Sequence, residues 1–241
     1  MDENGAKKVK PIAVILGVGS GLSTALARKL APEYDLVLGA RSQQVLDQLE
    51  QELSARCVTI DSTDQDQVSQ LFAELPAPPR VAVYNPSARL RGPITELDPG
   101  KVRQALEVTA FGAFLMGRAA AGAMLSADPI EGKRGTILFT GASAGVKGFP
   151  QSAPFAMGKF AQRGLAQSMA RELHPKGIHV AWINIDGGIR NPTRPERIDA
   201  PDNPDSMLNP EAIAQEYLNL INQHRSAWSK ESTLRPWAEN F

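Results

Sequence analysis

Pro11-Ile12-Ala13-Val14-Ile15-Leu16-Gly17-Val18-Gly19-Ser20-Gly21-Leu22-Ser23 is the stretch whose reading decides the fold. Its first six residues form a short apolar run of the kind that a strand buried on both faces requires. Glycines follow at once, and from Gly21 to Leu30 the apolar Leu22, Ala25, Leu26 and Leu30 recur near one helical face. A strand, a glycine turn and a helix in direct succession make the first half of a βαβ unit.

Working outward, the same alternation continues along the chain. Strands are expected at Asp35 to Ala40, Arg56 to Ile60, Arg80 to Tyr84, Gly135 to Thr140, Ile178 to Ile185 and Ser232 to Arg235. Helices are expected at 43–53, through Val68, Leu71 and Phe72, and at 101–125, 154–173 and 210–222. Pro76, Pro78 and Pro79 end the third helix, and the proline-rich stretch from Pro192 to Pro210 reads as a loop. Parallel strands need a covering crossover, so the expected class is α/β, a parallel doubly wound sheet with helices on both faces. No repeat or linker divides residues 1–241, which are expected to form one domain, with about 1–8 an extended or disordered start.

Composition narrows the partners. Lysine plus arginine equals aspartate plus glutamate, 26 against 26, so no net field draws the chain to nucleic acid or a membrane surface. The charged start lacks a signal-peptide core, and no apolar run approaches bilayer length, so a cytoplasmic protein with a small-molecule ligand is expected. The lone Cys57 excludes an internal disulfide, and His174, His179 and His224 show no metal-ligand spacing, so no metal is expected.

A doubly wound sheet binds ligands beyond the carboxyl ends of its strands, so the residues that follow the strands are the candidates. Gly17, Gly19, Ser20, Gly21 and Leu22 join the first strand to the first helix, where a tight backbone and a helix N-terminus suit a pyrophosphate. Gly17, Gly21 and Ser23 fit a G-x-x-x-G-x-G spacing with serine in the last place. The second strand ends in Arg41 where an NAD site would carry an acid; a guanidinium there suits the 2′-phosphate of NADP. NADP(H) is therefore the expected cofactor, with NAD(H) the alternative. Asp61 and Ser62 close the third strand, where Asp61 is placed to meet an adenine amino group or to cap the next helix.

These residues, with Phe155-Ala156-Met157-Gly158-Lys159, resemble the short-chain dehydrogenase/reductase superfamily over roughly residues 9 to 236. The resemblance implies a three-layer Rossmann fold with a seven-stranded parallel sheet, and a homodimer or homotetramer formed through the two long central helices. It also implies hydride transfer between a nicotinamide and a carbonyl carbon. Asn85 in Tyr84-Asn85-Pro86-Ser87 is what remains of the family's Asn-Asn-Ala-Gly. The family's catalytic asparagine falls on Thr109, its serine on Ala142 and its tyrosine on Phe155, while Lys159 keeps the lysine position as a ribose ligand. Asp186, Gly187 and Ile189 occupy the turn that meets the nicotinamide carboxamide.

Phenylalanine has no proton to give, and losing a positioned general acid typically removes about 10²–10⁴ in rate. Tyr84, Ser143, Ser152 and Asp186 are the groups near enough in the pattern to replace it. Three functions stay open: an oxidoreductase acting on a carbonyl or activated alkene with a non-standard proton donor, an NADP(H)-binding regulatory protein without turnover, and a non-redox cyclase or isomerase. The loop at about 190–210 falls in the family's substrate-lid region. Its Arg190, Arg194 and Arg197 read as a solvated charged loop, the alternative being contact with an acidic substrate.

Overall fold

In a computed structural model, which describes residues 10–191 and 193–238, seven strands form one parallel sheet in the order 3-2-1-4-5-6-7. The strands are β1 (Ile12–Leu16), β2 (Asp35–Ala40), β3 (Arg56–Thr59), β4 (Val81–Tyr84), β5 (Gly135–Thr140), β6 (Ile178–Ile185) and β7 (Glu231–Leu234). The expected extended start at about 1–8 and the loop residue Pro192 lie outside the described residues.

Residues alternate across each strand and divide the core in two. Ala13 and Ile15 of β1, Val83 of β4, Leu138 of β5 and Ile183 of β6 face one layer. That layer is completed by α1 (Leu22–Leu30), α2 (Gln43–Leu53) and α7 (Pro210–Ile221). Val14, Leu16, Ala82, Phe139 and Trp182 face the other, against α3 (Gln65–Ala73), α5 (Gly112–Leu125) and α6 (Ala153–Leu173). Strands buried on both faces explain why their sequences read as apolar runs with no polar alternation.

The helix expected at 101–125 has more structure than its composition revealed. Asp98 caps α4 (Pro99–Leu106) by accepting from the Lys101 N–H at 2.8 Å, and Pro99 sits in the first turn, where proline is tolerated. A wide π-helical turn, Glu107–Phe111, then leads directly into α5. The continuous helix Pro99–Leu125 is long and apolar enough to cross a bilayer, which corrects the expectation that no run approaches that length. Half of its apolar window is buried, with Ala113, Leu115, Met116, Ala120 and Met124 packed against the sheet, so it serves as a core helix.

The order reverses between β1 and β4: β1 leads outward to β2, and the chain later returns to place β4 on its other side. A crevice must open above that junction, because the two crossovers depart in opposite directions.

Candidate functional site

The crevice is a cleft of about 600 Å³. Its walls include Gly17, Gly19, Ser20, Gly21, Leu22, Arg41, Asp61, Ser62, Asn85, Lys159, Gly187 and Ile189, together with Ala142 and Phe155. Tyr84, Thr109, Ser143 and Asp186 do not line it.

Gly17 has φ +82°, and a Cβ there would lie 2.6 Å from the Pro86 ring, so both conformation and space demand glycine. The turn is tied from both sides. Asn85 Nδ2 donates to the Gly17 carbonyl (3.0 Å) and to Ser23 Oγ (2.6 Å), and Ser23 Oγ donates to the same carbonyl (3.1 Å). Serine in the family's last glycine place thus contributes a hydrogen bond, and the surviving Asn85 joins β4 to the β1 turn. The first turn of α1 has no side-chain cap, leaving its N–H groups toward the cleft. A Cβ on Gly19 would meet nothing within 4 Å, so only an incoming group limits that position. Asn191 reaches across from the lid, with Nδ2 3.4 Å from Ser20 Oγ.

Arg41 is exposed at the end of β2. Asp61 Oδ1 accepts from the Thr63 N–H (2.9 Å) and hydroxyl (2.8 Å), closing a local turn. The helix it was placed to cap is capped instead by Asp64, whose carboxylate accepts from the Asp66 and Gln67 N–H groups.

The reacting end is apolar where the family is polar. Phe155 packs in one buried cluster with Ala142 and Ala144. Lys159 is 2% exposed. Its Nζ donates to the Thr140 carbonyl (2.6 Å) and to Gln162 Oε1 (3.2 Å), and Gln162 Nε2 donates onward to the Thr109 carbonyl (3.2 Å). Burial, and then the charge of Arg89, push the Lys159 ammonium down to about 7.

Two of the proposed proton donors are corrected by their surroundings. Tyr84 is fully buried, its hydroxyl donates to the Val108 carbonyl (2.5 Å), and the Ser62 hydroxyl lies 3.2 Å away. Burial pushes the phenol well above its ordinary range, so it holds its proton and serves as a structural group outside the cleft walls. Ser143 turns its hydroxyl to the Asp186 carboxylate, which also accepts from Arg235 Nε at 2.9 Å. Burial raises the Asp186 carboxyl, but the bonds from Ser143 and Arg235 and the charges of Arg235 and Lys147 outweigh it and hold the group below its usual value. Thr109, in the asparagine place, is buried and its Oγ1 accepts from the Ala88 N–H (3.1 Å). Ser152 is buried just before α6 and is also absent from the cleft walls.

Sequence reasoning missed Arg89. Its guanidinium carbon lies 4.6 Å from the centre of the Phe155 ring, in cation–π contact above the position of the missing phenol. The signal was available, since Arg89 follows β4 in the region where a doubly wound sheet places its ligand contacts.

Residues 11–197 match the short chain dehydrogenase family. The chain belongs to that family. Among solved structures, a short-chain dehydrogenase from Rhodopseudomonas palustris is 32% identical with a TM-score of 0.78, over 94% of this chain and 99% of that one. The uncharacterized oxidoreductase YusZ of Bacillus subtilis is 26% identical over 185 residues, 72% of this chain and 64% of its own length, so the match spans less than two thirds of that relative. A metagenomic short-chain oxidoreductase in complex with NADP shares the fold at 23% identity, with a TM-score of 0.76 over 95% of this chain and 99% of that one.

Two outcomes test these assignments. Tyr84→Phe leaves the Val108 carbonyl without its donor and should cost about 1–3 kcal/mol in chemical denaturation, with nucleotide binding unchanged. Lys159 tests the buried ammonium through pH. Between about 7 and the ordinary lysine value of 10.5, the unfolded chain holds a proton that the folded chain has released. Stability therefore rises with pH across that window, and the full cost of burying the charge is present below it. In the absence of nucleotide, Lys159→Met should gain about 1 kcal/mol at pH 7, or about 2–4 °C in Tm, and the gain should shrink toward pH 10 in thermal melts.

Proposed function

We propose that this chain is an NADP(H)-dependent oxidoreductase that acts on a carbonyl or activated alkene and takes its proton from a group other than a tyrosine. The carrying observation is the asymmetry of the cleft: the turn at Gly17 to Gly21, the uncapped start of α1, Arg41 and Lys159 are all in place, while Phe155 and Ala142 remove the usual acid. The open space over Gly19 and the free helix N-terminus fit a pyrophosphate, and Arg41 fits a 2′-phosphate better than a ribose diol. The NADP in the metagenomic relative supports the same choice. When bound, the nicotinamide supplies or accepts the hydride. Lys159 and Gly187 then bound the reacting end of the cleft, Phe155 excludes water from it, and Asn85 holds the loop that seats the phosphates. The double bond must already be polarised by the substrate or by a cation of the cleft, because no tyrosine hydroxyl stands there.

A second reading has its own observation. The close packing of Phe155 on Ala142 and Ala144 suits a protein that keeps NADP(H) without turning it over. The same fold with an unchanged oxidation state in its product would make it a cyclase or isomerase. Exposed Phe111, Phe114, Met157 and Phe160 on the outer faces of the central helices support assembly of a second copy there, as a homodimer or homotetramer. A small-molecule ligand and a cytoplasmic setting complete the reading.

Titration with NADPH and NADH, read by nicotinamide fluorescence, tests the cofactor. NADPH should bind more tightly than NADH, and Arg41→Ala should weaken NADPH by about tenfold or more while leaving NADH nearly unchanged, the loss expected of a charge-assisted phosphate contact. Failure of both nucleotides to bind would end the proposal. A carbonyl and enone panel followed by NADPH oxidation then separates the two readings: turnover supports the oxidoreductase, and tight binding without turnover across the panel supports the second. Phe155→Tyr combined with Ala142→Ser should raise turnover of a simple ketone by about 10²-fold if only the acid is missing.

A further inference from the structure

We infer that the cleft carries a second anion site, built on Arg89 with Arg194 and Arg197, that takes a carboxylate or phosphate group of the substrate. The inference rests on the cofactor reading above only in placing the nucleotide at the other end of the cleft.

Arg89, Arg194 and Arg197 line the same cleft as Lys159 and stand close enough for their charges to act on one another. Arg197 Nη1 lies against Gly188, where a Cβ would be 2.9 Å from it, so this guanidinium sits at the end of β6. Among the described residues, no carboxylate pairs with any of the three. Several acids of the neighbouring segments have partners of their own, while Glu196, between Arg194 and Arg197, is exposed. Asp199 and Asp205 both hold Arg190, at 2.6 Å and 2.8 Å. Asp186 holds Arg235, and Asp61 Oδ1 closes on Thr63. Partial withdrawal from water, and then repulsion from Arg197, Arg91 and Arg194, lower the Arg89 pKa from its ordinary value, although a guanidinium stays charged throughout.

Gathered like charges without a counterion oppose folding, and an entering anion relieves that opposition. The Arg89 guanidinium carbon lies 4.6 Å from the centre of the Phe155 ring, and its N–H groups suit a two-pronged acceptor, which a carboxylate or a phosphate supplies. Arg89 is bound to the Phe155 end of the cleft and not to the glycine turn, and this position assigns it to the substrate rather than to the pyrophosphate. Pinning Arg190 with two aspartates also fixes the lid segment that carries Arg194 and Arg197, as does the backbone bond from the Asn191 N–H to the Arg197 carbonyl at 2.8 Å. A loop that only needed solvation would not require those ties.

The test uses the full chain saturated with NADPH and four probes: acetate, 2-oxoglutarate, the dimethyl ester of 2-oxoglutarate, and inorganic phosphate. Binding is read by calorimetry and by the fluorescence of the bound nicotinamide. A free acid or phosphate should bind at least tenfold more tightly than the ester. Arg89→Gln should abolish that preference while NADPH affinity changes less than twofold, and Arg89→Lys should restore part of it. Preference for phosphate over both acids assigns a phosphorylated substrate, and the reverse assigns a carboxylic acid. Equal affinity for acid and ester overturns the site. So does an Arg89→Gln variant that loses NADPH as severely as Arg41→Ala, since the arginines would then belong to the cofactor. If Arg89→Gln does not fold, Arg197→Gln carries the same comparison. If the wild-type chain binds no NADPH, the cofactor reading fails, and the acid–ester comparison on the free protein still decides the anion site by itself.

Discussion

The carbonyl of Gly17 receives two side-chain hydrogen bonds, one from Ser23 in the first turn of α1 and one from Asn85 just after β4. Those two bonds join the three pieces of chain that meet at the sheet's reversal. The Gly17 and Val18 N–H groups, which both donate to the Gly39 carbonyl of β2, and the Thr24 hydroxyl, which donates to the Gly19 carbonyl, hold the same turn. The turn sets the direction of α1, and α1 sets where its uncapped N–H groups point. The shape of the cleft beside the glycine turn is in this sense a consequence of one tied carbonyl. It also explains why Asn85 persists while its neighbours Pro86 and Ser87 depart from the family's pattern: its amide serves the backbone, independently of the chemistry performed nearby. Pro86 has a use of its own, since its ring fills the space a Gly17 side chain would need.

The Phe155 end of the cleft depends on no such shared tie. Replacing the tyrosine alone would leave a serine hydroxyl in an apolar pocket without its partner, at a desolvation cost of about 1–3 kcal/mol. Replacing both lets Phe155 pack on Ala142 and Ala144. Lys159 keeps its place because its ammonium is satisfied by the Thr140 carbonyl and Gln162, neither of which involves the lost phenol.

Much of this was legible in the chain. The strands appear as apolar runs because the sheet is covered on both sides, and the order of glycine turn, Arg41, Asn85 and Lys159 marks the cleft. What could not be read depends on side-chain direction. Tyr84 ends a strand in the region of the cleft, yet the period of two points it into the layer of α5, and Gly112 makes room for its hydroxyl. Ser143 is one residue from the vacated serine place, and that single step turns its hydroxyl to Asp186. The π-helical turn at Glu107–Phe111 leaves no trace in composition, since it is a matter of backbone winding. Arg89 lies in a loop with no periodicity, where only the folded chain shows that it meets an aromatic ring about seventy residues away in sequence.

The loss of the phenol changes what the neighbouring cations do. A lysine beside a tyrosine favours the phenolate, so its charge is balanced within the site when the proton leaves. Beside Phe155 that balance is gone, and Arg89 adds a second positive charge at the same end. The Arg89 guanidinium, charged throughout, sets a field that favours negative charge arriving from outside the protein. An anionic substituent on a substrate would be drawn in by that field, and so would charge that develops on a substrate oxygen as its double bond is reduced.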